Sequence, residues 1–173
     1  MSDLFRVLRY PDPFLRRKAR RVETIDDALR AECRRLADTM FAHDGLGLAA
    51  TQVGWDARVA IVSGTGKPGD EICLVNPELV DAWGSEAREE GCLSFPRVAA
   101  VITRRKGVKI RYTGLDGAQH ELENDELLGR CCLHEMDHLD GITFLAKMTP
   151  ADKLANRRAL RNLEDAAGES PAA

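Results

Sequence analysis

The stretch Asp125-Glu126-Leu127-Leu128-Gly129-Arg130-Cys131-Cys132-Leu133-His134-Glu135-Met136-Asp137-His138-Leu139-Asp140-Gly141 decides the fold. It reads as one helix over about 125–139, capped by Asn124 or Asp125 and stopped by Gly141. His134 and His138, four positions apart, share a face, so both imidazoles can reach one metal ion. Glu135 stays within reach of a water on that ion without having to be a ligand. The alternative is a solvated helical face with incidental histidines, which the motif alone does not remove; if the helix holds a metal, the rest of the chain is expected to pack around it.

Outward from this helix the pattern changes twice. Residues 57–123 carry short Val- and Ile-rich runs at 58–62, 72–75, 98–102 and 108–112, punctuated by glycine and proline. Leu115-Asp116-Gly117 predicts a hairpin turn between 108–113 and 118–122. Upstream, Ile25, Leu29, Cys33, Leu36 and Met40 recur at helical spacing, predicting a helix over about 25–42 with Thr24 as N-cap. Gly45 and Gly47 end it and open a loop. Downstream, Thr149-Pro150 opens a helix to about 164, and 166–173 reads as a disordered tail. The fold class is α+β, mostly antiparallel sheet packed around the metal-binding helix, with one further helix at each end. Residues 1–165 form a single catalytic domain on this reading.

Composition bounds the partners. The 173 residues are 44% hydrophobic and 31% charged, with 25 basic against 28 acidic side chains and a net charge of −3. That balance gives no pull toward DNA or an anionic membrane. Basic clusters at 16–21, 104–111 and 153–161 read as solvated faces. There is no signal-peptide pattern and no run long enough to span a membrane. Five cysteines without paired spacing fit a reducing cytoplasm, where they stay thiols or bind metal.

The third ligand decides the chemistry. A metalloprotease class that extends the motif needs a histidine six residues after the second, and Phe144 stands there. Glu164, in the last helix, is a weaker candidate close to the C-terminus. Cys131 shares the face of the two histidines but lies roughly 10 Å along the axis from His138 at 1.5 Å per residue. It is read as a wall of the site. Cys132 points elsewhere, Cys33 fits the first helix's apolar stripe, and Cys73 sits inside a strand. Cys92 remains, in the glycine-bearing segment Glu90-Gly91-Cys92-Leu93-Ser94. Cys92, His134 and His138 would leave one position open for water, the pattern of a catalytic site.

Three segments, Gly45-Leu46-Gly47-Leu48-Ala49-Ala50-Thr51-Gln52, Glu90-Gly91-Cys92-Leu93-Ser94 and His134-Glu135-Met136-Asp137-His138-Leu139-Asp140-Gly141, closely resemble the three motifs of bacterial peptide deformylases in order and separation. The similarity also takes in Leu8-Arg9-Tyr10-Pro11-Asp12-Pro13 and Asn76-Pro77-Glu78-Leu79, and reaches about residue 150. The resemblance implies removal of the formyl group from N-formylmethionyl nascent peptides, with release of formate. It implies metal ligation by Cys92, His134 and His138, and Glu135 as general acid/base while water attacks the formyl carbon. It implies Gln52 and the Leu93 N–H as donors to the oxyanion, and peptide binding along Gly45, Gly47, Gln52 and Leu93. The methionine side chain would lie near Cys131 and Leu127.

A Cys-His-His set on its own suggests zinc. The resemblance implies Fe²⁺, one per chain, with Zn²⁺, Ni²⁺ or Co²⁺ able to substitute. A substrate that emerges from a ribosome also raises transient ribosome contact through the basic C-terminal helix (Lys153, Arg157, Arg158, Arg161). The family commonly has glutamine before the first metal histidine, where this chain has Leu133. Two other readings remain, a general His-Glu-x-x-His metallopeptidase and an inactive metal-stabilised binding protein.

Overall fold

A computed structural model describes residues 4–169. The first long helix, α1, spans Asp27–Ala42 and begins two residues later than the spacing predicts. Its cap is Asp26, whose carboxylate accepts a 2.8 Å hydrogen bond from the Leu29 N–H, so Thr24 is displaced from that role. Ile25 falls outside the helix yet still packs on the core beside Cys33, Leu36 and Met40. Apolar periodicity located the buried face correctly and left the first turn undefined.

Seven strands follow: β1 Gly47–Ala49, β2 Val59–Val62, β3 Ile72–Trp83, β4 Glu86–Gly91, β5 Ala99–Arg104, β6 Gly107–Thr113 and β7 Gln119–Asn124. Five of them pair antiparallel in the order β1-β2-β3-β6-β7, while β4 and β5 form a separate two-stranded ribbon. The expected run 72–75 is only the first third of β3. Pro77 cannot donate to a ladder, and the register shift between Val75 and Glu78 absorbs it, so pairing with β6 resumes beyond. Strand β4, Glu-Ala-Arg-Glu-Glu-Gly, has no apolar run and was not foreseen; its partner β5 makes it a strand. The hairpin at 114–118 is present, with Gly117 at φ 81°.

Helix α2, Leu127–Leu139, lies against β1, β2 and β6. Asn124 Oδ1 accepts from the N–H groups of Glu126 and Gly129 at 2.9 and 2.8 Å, which ties the helix start to the end of β7. Gly129 is required there because a Cβ would stand 2.6 Å from the Asn124 carbonyl oxygen. Gly141 ends the element at φ 74°, as expected. Cys132, Met136 and Leu139 face the core.

A short helix α3, Phe144–Lys147, precedes α4, Pro150–Ala155, and α5, Arg157–Glu169. Thr149 and Asp152 form the N-terminal capping box of α4. The single helix expected over 149–164 is thus broken at Asn156, whose side-chain amide donates to the Ala99 and Asp152 carbonyls. Residues 166–169 continue α5, contrary to the disordered tail expected from 166; residues 170–173 lie outside the described residues.

Candidate metal centre and active site

Cys92 follows directly on the last residue of β4, and α2 supplies the two histidines. Cys92 Sγ lies 3.2 Å from His138 Nε2, and the ligand atoms of Cys92, His134 and His138 all fall within 4.8 Å of one another. Donors around one tetrahedral ion are about 3–4 Å apart, given bonds of about 2.0–2.3 Å. Glu90 Oε2 accepts from His134 Nδ1 at 3.0 Å, which leaves Nε2 of that ring for the centre. A thiol and two imidazoles converging in this way fit a metal ion. Cys131, set aside on helix geometry, hydrogen-bonds the Leu46 carbonyl at 3.1 Å and lines the adjoining cavity. Glu164 accepts from the Tyr10 hydroxyl instead of joining the centre.

Glu135 is buried at 3% exposure, and its Oε2 has no partner among the described residues. Burial pushes its carboxyl up to about 7, which suits a group that must both take and give a proton near neutrality. Burial also lowers His138 well below its ordinary value, so its imidazole is neutral and free to ligate. Burial pulls His134 the same way, but its contacts with Cys92 and Glu90 outweigh that and raise it to about 10.

The glycine motif acquires a specific reason here. Gly47 sits in β1 directly against Glu135, where a Cβ would stand 2.4 Å from Oε1 and 2.7 Å from the Cys131 sulfur. Open backbone for a peptide is therefore only part of its use; the missing methyl makes room for the carboxylate. Gly45 is less tightly enclosed, with Leu93 and Met40 at 3.0 and 3.1 Å. Gln52 is buried in the 3₁₀ turn Ala50–Val53, and its Oε1 accepts from the Ala49 N–H at 2.9 Å. Its amide nitrogen is thereby aimed at Ser94 Oγ (3.1 Å) and Cys92 Sγ (3.6 Å). A cavity of about 420 Å³ joins these groups, with Gly45, Leu93, Leu127 and Cys131 in its wall.

Behind the ligands stands a charge network that was not foreseen. Arg104 binds Glu90 through Nε and Nη2 (2.6 and 3.0 Å) and Asp137 through Nη1 (2.7 Å). Arg130 Nε approaches Glu90 Oε1 at 2.7 Å, while its Nη2 donates to the carbonyl of Ile102. Burial works to raise the Glu90 carboxyl, but its bonds from His134 and Arg104 prevail and hold it at about 2. The reading of 104–111 as a solvated cluster fails at Arg104, which is 8% exposed. Alternation was the available signal: Ala100, Ile102 and Arg104 lie on the same buried face of β5.

A metal-binding helix laid on antiparallel sheet, with a cysteine as third ligand and a buried glutamate beside it, defines a class of metal-dependent hydrolases. Residues 4–154 match the family model for polypeptide deformylase. A peptide deformylase of Acidobacterium capsulatum is 35% identical over 162 residues, covering 92% of this chain and 95% of its own. Among solved structures, a plant peptide deformylase is similar at 34% identity and TM-score 0.93, over 98% of this chain and 94% of that one. One from Legionella pneumophila gives 33% identity and TM-score 0.88, over 97% and 99%. The chain belongs to the polypeptide deformylase family.

Proposed function

We propose that this deformylase removes the formyl group of N-formylmethionyl peptides with Cys92, His134 and His138 holding Fe²⁺, in the cytoplasm. When bound, the ion supplies Lewis acidity that makes water a competent nucleophile near neutrality. Glu135 accepts the proton of the attacking water on its unpaired Oε2 and passes it to the leaving amine. Gln52 Nε2 and the Leu93 N–H donate to the oxygen that becomes negative as the formyl carbon turns tetrahedral. The peptide lies along Gly45 and Gly47, with the methionine side chain toward Leu127 and Cys131. The observation that carries this reading is the buried Glu135 carboxylate, without a partner at Oε2, beside the converged Cys92, His134 and His138.

Anaerobically prepared protein loaded with Fe²⁺ is expected to release formate from formyl-Met-Ala-Ser and to leave internal amides intact. Activity restored by zinc alone would overturn the choice of iron, and cleavage of internal amides would favour a general metallopeptidase. The exposed arginines of α5 (Arg157, Arg158, Arg161) suit transient contact with ribosomal RNA. Cosedimentation with ribosomes that survives deletion of 150–173 would refute that contact.

A further inference from the structure

Helix α1 and strand β3 bring together two cysteines that the metal centre leaves unused. Cys33 projects from the buried face of α1, while Cys73 is half-buried on β3, opposite Ile61 of β2. Both residues line one cavity, where each perturbs the other's thiol. A cavity of about 330 Å³ opens there, lined by Cys33 and Cys73 together with Arg34, Glu71, Tyr112 and His120. It shares no wall with the cavity at the metal centre. Two thiols forty positions apart in sequence thus meet at a solvent-reaching pocket, with a guanidinium in its lining.

We propose that Cys33 and Cys73 are a dithiol site at which a peroxide is reduced and a disulfide formed. The contact with Cys73, and then the charge of Arg34, hold the Cys33 thiol below its ordinary value against the effect of burial. Contact with Cys33 and burial together raise Cys73. With the Arg34 guanidinium beside it in the cavity wall, Cys33 is the attacking thiolate. Its sulfur attacks one oxygen of the peroxide, the O–O bond breaks, and hydroxide leaves to take up the proton that Cys33 lost. The sulfur of Cys73 then attacks the resulting sulfenic acid; the S–O bond breaks, and the oxygen departs as water with the Cys73 proton. Two thiols are oxidised and one hydrogen peroxide is reduced to two waters. Cys131 and Cys132 do not line this cavity, and the Cys131 sulfur is held by the Leu46 carbonyl.

The test uses the full chain loaded with zinc, which has no redox chemistry of its own. After stoichiometric hydrogen peroxide, alkylation and digestion, mass spectrometry should find the Cys33 and Cys73 peptides joined and lighter by two hydrogens, and separated again by a thiol reductant. In the Cys73→Ser variant the second step is blocked, and a dimedone-type probe should label Cys33 as sulfenic acid. Recovery of Cys33 and Cys73 as alkylated thiols after the peroxide is consumed would overturn the proposal. So would oxidation of either to sulfinic acid without a cross-link.

Discussion

Replacing Gly47 by alanine places a methyl where the Glu135 carboxylate, the proposed general acid/base, lies. A Cβ at Gly47 would stand 2.4 Å from Glu135 Oε1 and 2.8 Å from its Cδ, whereas ordinary contact begins at 3.4 Å. Glu135 must then retreat by about 1 Å, and a misplacement of that size can cost about 10²-fold in rate. The Cys131 sulfur, held by the Leu46 carbonyl, would itself meet the methyl at 2.7 Å. Overpacking of a filled interior costs about 1–3 kcal/mol. For a chain of this length that is a fall in Tm of roughly 3–10 °C. Gly47→Ala should therefore fold, keep its metal and lose about 10²-fold in kcat for formate release. Gly45→Ala is the comparison, because its Cβ would meet no atom of Glu135: Leu93 Cδ1 stands at 3.0 Å, and Met40 Cγ and its carbonyl oxygen at 3.1 Å. Its loss should be several-fold smaller. A Gly47→Ala enzyme within threefold of the parent in kcat would show that the placement of Glu135 against β1 is not what the reaction needs.

Glu135→Gln should lower kcat by about 10²–10⁴-fold, the range for a lost general acid/base. Its Tm and metal content should not fall, because the parent carboxylate is buried with Oε2 unpaired; loss of the metal would indicate that Glu135 is a ligand instead. Glu90→Gln leaves Arg104, Arg130 and His134 without their shared anion. Breaking a buried ion pair in this way costs about 3–5 kcal/mol, and loss of the brace on a metal histidine weakens metal binding about 10–100-fold. Calorimetry and competitive chelation measure the two separately, and an unchanged metal affinity would refute the bracing role. Asn124→Ala removes the acceptor for two N–H groups at the start of α2 and should cost about 1 kcal/mol, a drop in Tm of about 3 °C, with kcat unaltered.

Much of the fold was legible because periodicity and punctuation agreed. The end of helix α2 follows from Gly141, although its first turn begins at Leu127 behind Glu126 and not at 125, and the hairpin at 114–118 follows from its turn residues. Capping decided the start of α1, where several residues could serve and the competing acceptor Asp26 won. Strand β4 could not be read locally, since a run of glutamate, arginine and alanine becomes a strand only through its ladder with β5. The continuation of β3 past Pro77 was hidden for a related reason. A bulge is a property of two strands in register, and only one of them is visible in any window of sequence.

The metal centre divides along the same line. Cys92 was reached by elimination: Cys131 on the axial rise of α2 and the reach of a thiol, Cys132 and Cys33 on the helix faces they occupy, and Cys73 on its place in a strand. The network behind it depends on side chains from β4, β5 and α2 meeting in three dimensions, and charged residues are ordinarily read as solvent-facing. That network also answers the question Leu133 raised. The side chain at 133 is half-buried against the apolar cluster that includes Cys132 and Met136, so it contributes packing and no hydrogen bond. His134 does not depend on it for orientation, because Glu90 already fixes Nδ1 and is itself held by two arginines. Leucine before the first histidine is therefore compatible with an ordered ligand set, and the residue on which the orientation of His134 rests is Glu90.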